Sequence, residues 1–427
     1  MFRWKMTALF AAVICAAVLC CACTAAPEDT TPVTEPPTAP TVDPLVQAFK
    51  EDPTAFVEFS RSTAPREGYV PITELMEYES IYPKCNGTWF RDQLTGEDLL
   101  IYNSYLYALE HRYTWFKLYV EDSDKDFSYI REALSLDSPF LEQNFSHYEY
   151  THKNPINYRG ESASFSMEQF TDSRWEMKQE ALEKCRQIVA GIPAECVTQE
   201  QKMLYLYKYV CDHVEYVDYE KMADEDHLYD AVCKGEAVCD GYSNMLNLLF
   251  NLIGVECCEA MGDNVENWET ATEEEIENAN GHTWVVAKLD GQFYNFDPTF
   301  EDGDEDDWGD GTKYFGYSDN LVSVKYLDCE ELRPKCTDIS RDFPYADMVV
   351  TDANDSAQSK ELSKCIKQRI KDGLNETVVA VHGDLSDKQV KSFVRKCLDR
   401  IGSIKEAQYN WEPMRGSVLI RITVTPR

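Results

Sequence analysis

Basic residues are scarce in this chain of 427 residues. Its 41 Lys and Arg residues stand against 76 Asp and Glu residues, which leaves a formal net charge of −35. A charge of this size repels phosphate backbones and anionic lipid headgroups. We therefore exclude a nucleic-acid-binding protein and a protein held to a membrane by basic patches. Cationic partners remain open.

Long apolar runs and metal-ligand spacings are also missing. The longest apolar run covers residues 7–23, and its 17 residues are too few for a comfortable membrane span. A zinc site at Cys233, Cys239, Cys257 and Cys258 is disfavoured, because these residues lack paired Cys-x-x-Cys or His-x-x-x-His spacing. No internal repeat is visible, which argues against a repeat architecture. We expect neither a metal nor a cofactor.

The remaining composition indicates a folded protein. Apolar residues make up 44% of the chain, which is enough to bury real cores. At about 150 residues per domain, the length allows two or three globular units.

The first residues resemble an export signal of the bacterial lipoprotein type, predicted over 1–22. Arg3 and Lys5 precede the apolar run, and Ala22 precedes Cys23, the expected lipid acceptor. Cys20 stands where that pattern prefers Leu, so Cys21 is the second choice. The alternatives are secretion after a small-residue site near residue 25 and an uncleaved anchor. The sequence predicts an exported protein, lipid-anchored on the outer face of the bacterial cytoplasmic membrane or secreted.

Residues 23–44 are predicted to form a linker. Residues 27–44 contain six Pro and five Thr among 18 residues and almost nothing apolar, which is typical of a stiff, extended spacer. Twelve of the 16 cysteines lie beyond the signal, and their spacing forms no readable disulfide framework. We expect most of them to be core thiols.

Three units are expected after the linker, in an overall α+β fold. Residues 45–160 are predicted to be mainly helical, with one helix capped by Thr95 and another near 127–136. Residues 161–344 are predicted to combine helices with a hairpin. Residues 345–427 form a small α+β accessory domain. The boundary near Pro344 follows from charge, because residues 345–427 hold 14 basic and 11 acidic residues, whereas residues 255–312 hold 1 and 18.

Cys239 has the features of a nucleophile. It opens a predicted helix that Gly254 ends with a left-handed residue. At a helix start, free amides and the macrodipole favour a thiolate, and the same amides can hold a developing oxyanion. Taken alone, Cys239 would more often be a buried core thiol.

His282 and Asp297 lie on two alternating runs joined by Asp290-Gly291, a strong hairpin signal. With these two residues as the turn, the register places Trp284 opposite Asp297 and makes His282 the diagonal neighbour of Asp297. Diagonal neighbours are about 7 Å apart at the backbone, within reach of a carboxylate and an imidazole. The carboxylate would orient the ring and stabilise its charged form, while the other ring nitrogen faces the thiol.

These residues resemble the three blocks of the transglutaminase-like superfamily, in the order of that family, over about residues 201–319. The blocks are Gly235-Glu236-Ala237-Val238-Cys239-Asp240-Gly241-Tyr242, Gly281-His282-Thr283-Trp284 and Phe296-Asp297-Pro298-Thr299. The resemblance implies a papain-like α+β core with Cys239 as nucleophile, His282 as general base and acid, and Asp297 as the orienting carboxylate. Two positions depart from the family pattern, since members often have Ala at the places of Ser243 and Thr283.

The predicted chemistry is acyl transfer at a peptide or side-chain amide through a thioester, with water as the usual acceptor. The expected substrate is a protein or peptide of the cell envelope, with a preference for cationic ones. A protein cross-linker and an inactive binding module on the same fold are the alternatives. Tyr216 and Trp284 are further candidates for the site wall or the oxyanion hole.

The acidic run at residues 301–310 partly resembles a calcium loop. Asp307 occupies the position where a calcium loop needs Gly, and Lys313 the position of its closing Glu. A solvated loop is the better interpretation.

Overall fold

The computed structural model describes residues 44–61, 68–82, 84–122, 125–141, 161–166, 172–217, 226–264, 272, 280–302, 312–321, 326–328, 333–343, 346–414 and 417–427. The predicted signal, the lipid acceptor Cys23, the linker up to residue 43 and residues 303–310 of the acidic run lie outside these ranges. What the sequence indicates for them stays a prediction.

The N-terminal part combines a four-stranded antiparallel sheet with helices. Its elements are α1 (Pro44–Glu51), β1 (Phe56–Ser60), β2 (Gly68–Pro71), α2 (Ile72–Met76), α3 (Gly96–Glu110), β3 (Trp115–Val120), α4 (Ser128–Asp137) and β4 (Glu161–Ser166). The strand order is β2-β1-β3-β4.

In the described ranges between residues 45 and 160, helical residues still outnumber strand residues, and α3 and α4 lie where helices were expected. The sequence analysis missed the sheet that accompanies them. Thr95 does occupy the N-cap position of α3, but its side chain makes no capping hydrogen bond. The strands are stabilised by aromatic residues from distant parts of the chain. Phe116 on β3 alternates with half-buried neighbours and stacks on Phe165 of β4, with the ring centroids 4.8 Å apart.

The middle part contains a second sheet with helices packed around it. Its elements are α5 (Asp172–Ala190), α6 (Gln199–His213), β5 (Glu215–Tyr216), α7 (His227–Tyr229), β6 (Glu236–Ala237), α8 (Cys239–Leu252), β7 (Cys257–Asn264), β8 (Asn280–Leu289), β9 (Gln292–Phe296), α9 (Pro298–Asp302), β10 (Phe315–Tyr317) and β11 (Tyr326–Asp328). The strand order of the larger sheet is β10-β9-β8-β7-β11. Helix α8 is buried from Gly241 to Asn251, and Gly254 follows it with φ +78°, as expected.

The N-terminal and middle parts share one hydrophobic core. A single cluster of buried side chains includes Val57 of β1, Leu182 of α5, Phe250 of α8 and Cys336. Because β4 pairs with β3, the N-terminal sheet also extends past residue 160, where the sequence placed a domain boundary. The helices and strands mix in the α+β manner expected for this part of the chain.

The C-terminal part is a small α+β unit with its own core. Its elements are β12 (Met348–Val350), α10 (Ser356–Lys371), β13 (Glu376–His382), α11 (Asp387–Leu398), β14 (Ile404–Met414) and β15 (Ser417–Pro426). The strand order is β12-β13-β15-β14. Both helices cover one face of this sheet. The other face packs through Ala380 and Leu419 against Tyr317, Leu321 and Phe343.

Eleven cysteines fall within the described ranges, and all eleven are free thiols. No described helix combines the length and the apolar character needed to cross a membrane.

Candidate active site

Cys239 is the first residue of α8, and the chain before it forces the helix to begin there. Gly235 adopts a left-handed conformation with φ +75°, and β6 then pairs in parallel with β5. Val238, the residue before Cys239, is extended and occupies the N-cap position without a capping hydrogen bond from its side chain. Cys239 itself is half-buried. Its sulfur therefore lies at the end of a helix where the first-turn amides point outward with a partial positive charge.

His282 and Asp297 are joined by a hydrogen bond. Their hairpin has the register expected from the sequence, because Leu289 pairs with Gln292 and Val285 with Phe296. His282 lies on β8 and Asp297 directly follows β9. Nε2 of His282 is 2.7 Å from Oδ2 of Asp297. Both residues are buried, with 6% and 1% of their surfaces exposed.

Asp297 is held from several sides. Its Oδ1 accepts the Phe300 amide at 3.1 Å and so caps α9. Its backbone N–H donates to the Tyr314 carbonyl at 3.0 Å, and its own carbonyl accepts the Tyr207 hydroxyl at 3.1 Å. The carboxylate thus has little freedom to leave the imidazole.

The charge state of His282 follows from its surroundings. Burial lowers its pKa, but the charge of Asp297 and the hydrogen bond to it raise the pKa more. A hydrogen bond with the Cys239 side chain raises it further, and the result is a pKa of about 10. The ring is therefore protonated at neutral pH. A protonated imidazole beside a sulfur stabilises a thiolate.

Aromatic rings fix the plane of the imidazole. Phe300 stacks on His282 with the centroids 4.6 Å apart, and Trp284 stacks at 5.9 Å. Together with the bond to Asp297, these contacts allow the ring few other orientations.

Of the two roles expected for Trp284, the structure disfavours that of oxyanion donor, and a place in the site wall stays a prediction. Its side chain is buried, and its indole N–H donates to Oδ1 of Asn295 at 2.9 Å. Trp284 therefore has no donor left for an oxyanion, and its contribution is the stacking contact with His282. The predicted pairing of Trp284 with Asp297 is not formed, because the ladder between β8 and β9 ends at the pair Val285 and Phe296.

Tyr216 lies on β5, next to the strand that leads into Cys239. Its partner on β6 is Ala237, and 52% of its surface is exposed. A role in the site wall stays a prediction for this residue.

The sequence analysis missed a cluster of polar residues beside Cys239. Asp240 accepts the Thr283 hydroxyl at 2.9 Å, and its other oxygen is 3.4 Å from Nδ1 of His227. Burial raises the pKa of Asp240, but the hydrogen bonds and charges of His227, Thr283 and His282 outweigh it and hold the pKa below the usual range. The sequence did contain a signal for this cluster, because Asp240 and Thr283 directly follow the candidate catalytic residues Cys239 and His282.

Metal binding has no support in the described ranges, where no group of three or more His, Cys, Asp or Glu side chains could hold an ion.

One family model matches part of the chain. Residues 186–298, which include Cys239, His282 and Asp297, match the model of the Transglutaminase-like superfamily. No curated protein matches the chain.

Three solved structures are similar to parts of the chain. A TGase shares 16% identity with a TM-score of 0.24 and covers 36% of this chain and 44% of its own. A proposed cysteine protease from Cytophaga hutchinsonii shares 10% identity with a TM-score of 0.22, and the match covers 36% of this chain and 61% of that protease. A proposed protease from Parabacteroides distasonis shares 7% identity with a TM-score of 0.26, and the match covers 66% of this chain and 62% of that protease. The chain thus spans less than two thirds of each of these structures.

Proposed function

We propose that this chain, whose residues 186–298 belong to the transglutaminase-like superfamily, is a cysteine-dependent acyl-transfer enzyme acting on peptide or side-chain amides. The observation that carries the proposal is the geometry of three residues. The Asp297 carboxylate lies 2.7 Å from one nitrogen of His282, and the Cys239 side chain, at the start of a helix, is close enough to His282 to raise the pKa of the ring. Nucleophile, base and orienting group are within reach of one another.

The first half-reaction forms a thioester. The Cys239 sulfur attacks the amide carbonyl carbon, and the carbonyl oxygen becomes an oxyanion that the first-turn amides of α8 can stabilise. His282 donates its proton to the leaving nitrogen as the C–N bond breaks. The products are the free amine and an acyl group on sulfur.

The second half-reaction releases the acyl group. Neutral His282 takes a proton from water as the water oxygen attacks the thioester carbon, and the C–S bond then breaks. The products are a carboxylic acid and the free Cys239 sulfur. Asp297 keeps the ring oriented in both half-reactions.

Water is the proposed usual acceptor, which makes the enzyme a peptidase or amidase. A cross-linker needs a second site that holds a Lys amine and keeps water away during the life of the thioester. No sequence feature indicates such a site. The acidic run at residues 301–310 favours the alternative, since it could recruit an amine.

The acceptor can be tested with a glutamine-containing peptide and excess cadaverine, followed by mass spectrometry. Cleaved or deamidated product is expected to dominate. A dominant amine adduct would instead identify a cross-linker.

The proposed setting is the cell envelope, with the chain attached through a lipid on Cys23 and the substrate an envelope protein or peptide. An Ala22-Cys23 junction followed by a Pro- and Thr-rich segment supports this setting. Intact-mass analysis of the native protein should find a lipid-modified Cys23. An unmodified N-terminus at Ala26 would contradict it.

A cationic substrate is proposed because residues 255–312 carry one basic and 18 acidic residues and include both His282 and Asp297. A Lys-rich peptide should react faster than a matched Glu-rich peptide at low salt. The difference should shrink with added salt, since screening acts over about 8 Å at physiological ionic strength. A salt-independent preference for the acidic peptide would contradict the proposal.

Cys239→Ala distinguishes an enzyme from an inactive binding module on the same fold. Acyl-enzyme capture and peptide turnover should be lost, while Cys365→Ala in the C-terminal part should leave both unchanged. If the Cys239→Ala protein processes amides at the wild-type rate, the proposed mechanism fails. If the wild-type protein binds peptides without turnover and the variant binds equally well, the chain is a binding module.

A further inference from the structure

A hydrogen-bonded network links the helix that carries Cys239 to the strand that carries His282. Thr283 on β8 donates its hydroxyl proton to Oδ1 of Asp240 on α8 at 2.9 Å. Oγ of Ser243, one turn further along α8, is 3.0 Å from the Thr283 hydroxyl and 3.1 Å from the Asp240 carbonyl. Two of these residues, Asp240 and Thr283, directly follow Cys239 and His282 in the chain.

Counting protons fixes the direction of the network. A charged carboxylate only accepts hydrogen bonds, so the single Thr283 proton goes to Asp240. Thr283 must then accept from Ser243, whose proton is shared between the Thr283 oxygen and the Asp240 carbonyl. The Thr283 hydroxyl is thereby held in one orientation, and the Ser243 hydroxyl points between its two acceptors.

The environment makes this network rigid. Ser243 is fully buried, whereas Thr283 and Asp240 are half-buried. The Asp240 carbonyl also accepts the side-chain amide of Asn244 at 2.6 Å. The second carboxylate oxygen of Asp240 faces His227, so Asp240 is held from both sides.

We infer that Asp240, Thr283 and Ser243 form a positioning network that sets the placement of the Cys239 sulfur against the His282 ring. The inference rests on the proposed role of Cys239 and His282 as the reacting pair. Oδ1 of Asp240, which accepts the Thr283 hydroxyl, also lies 4.0 Å from the Cys239 sulfur, so the bond that joins α8 to β8 is directly beside that sulfur. The two positions at which the sequence departs from the family pattern, 243 and 283, are thus in contact with each other and act together.

The test is the alkylation rate of Cys239 by iodoacetamide, followed by peptide mapping over a pH series. Thr283→Val keeps the shape but removes the hydroxyl, and the rate at neutral pH should fall about tenfold, as expected for a misplaced reacting group. Thr283→Ser keeps the hydroxyl and should restore the rate to within about twofold of wild type. Ser243→Ala removes the donor to Thr283 and leaves the charge beside the sulfur unchanged. The rate should also fall in this variant, which provides a second test if Thr283→Val folds poorly.

Cys365 in the C-terminal part serves as the internal control, because its own alkylation should not change. Equal Cys239 rates in wild type, Thr283→Val and Ser243→Ala would overturn the inference. Parallel changes at Cys239 and Cys365 would also overturn it, since they indicate general destabilisation. Alkylation needs no amide substrate, so the absence of amide turnover would disprove the proposed function without affecting this result.

Discussion

At the scale of single residues, two opposing effects decide the proton affinity of His282. Burial of the ring disfavours the charged form, and Asp297 favours it more strongly. The ion pair stabilises the fold in full below the ordinary histidine pKa of 6.5, and this contribution is lost as the pH rises through about 10. In the proposed mechanism, the same pH range governs the proton that His282 donates to a leaving amine.

Asp297→Asn should move the alkaline limb of the activity profile to lower pH. In the native protein the limb is expected near pH 10, because His282 keeps its proton until then. The variant removes the charge of Asp297 while burial remains, so the pKa of His282 falls. The rate at neutral pH should drop by about 10³-fold, because the ring also loses its orientation.

The measurement is the pH dependence of kcat/KM, or of acyl-enzyme formation, for both proteins. Asp384→Asn, at an exposed position in the C-terminal part, is the matched control and should keep the native profile. An unchanged alkaline limb in Asp297→Asn would show that Asp297 does not set the charge of His282.

At the scale of elements, the start of α8 depends on the absence of a side chain at Gly241. A Cβ there would lie 2.7 Å from Cβ of Ala237 and 3.0 Å from the His227 carbonyl. The helix can approach β6 and α7 only because position 241 is glycine. This approach also brings Asp240 close to His227.

Gly241→Ala should lower the free energy of unfolding by about 1–3 kcal/mol through overpacking. The helix start would also move, so the alkylation rate of Cys239 should fall. Gly254→Ala is the matched control at the other end of α8, where φ is +78° and no atom lies within 4 Å of a new Cβ. It should cost about 1–2 kcal/mol through backbone strain and leave Cys239 unaffected. Urea unfolding and iodoacetamide mapping measure both effects, and equal Cys239 rates in the two variants would contradict the packing argument.

Local signals explain what the sequence could predict. The hairpin register followed from Asp290 and Gly291, which both adopt positive φ, as a two-residue turn of this kind requires. The start and end of α8 followed from apolar spacing and Gly254. These features depend on residues close together in the chain.

Contacts between residues far apart in the chain explain which features the sequence could not predict. The N-terminal sheet forms by pairing β3 with β4, and no local pattern reveals that partner. The bond between Asp240 and Thr283 joins residues 43 positions apart, so it becomes visible only once α8 lies on β8.

At the scale of the whole molecule, the C-terminal part contacts the segment that holds Asp297. Nζ of Lys313 is 3.1 and 3.0 Å from the two carboxylate oxygens of Glu412 on β14. The Lys313 side chain is 2% exposed and that of Glu412 is 35% exposed. The next residue, Tyr314, accepts the backbone N–H of Asp297. The accessory domain thus stabilises a segment that touches the active site.

Glu412→Gln should lower the free energy of unfolding by about 2 kcal/mol, because the buried ammonium of Lys313 then loses its charged partner. The loss is no larger because Glu412 itself is partly exposed to water, which screens the ion pair. Glu406→Gln, exposed on the same strand, is the control and should change stability by less than about 0.5 kcal/mol. Urea unfolding of both variants gives the comparison. Equal stabilities would show that the contact between Lys313 and Glu412 contributes nothing.

Labelling of the free thiols can measure the rate at which each of the two hydrophobic cores opens. Cys257 and Cys258 are buried in the core shared by the N-terminal and middle parts, and Cys397 is buried in the C-terminal core. A reagent can reach these sulfurs only when the surrounding core opens, so the rate at which each becomes labelled reports a local opening rate. If Cys397 reacts earlier than Cys257 and Cys258, the accessory domain opens on its own. Simultaneous labelling would mean that all three parts open as one cooperative unit.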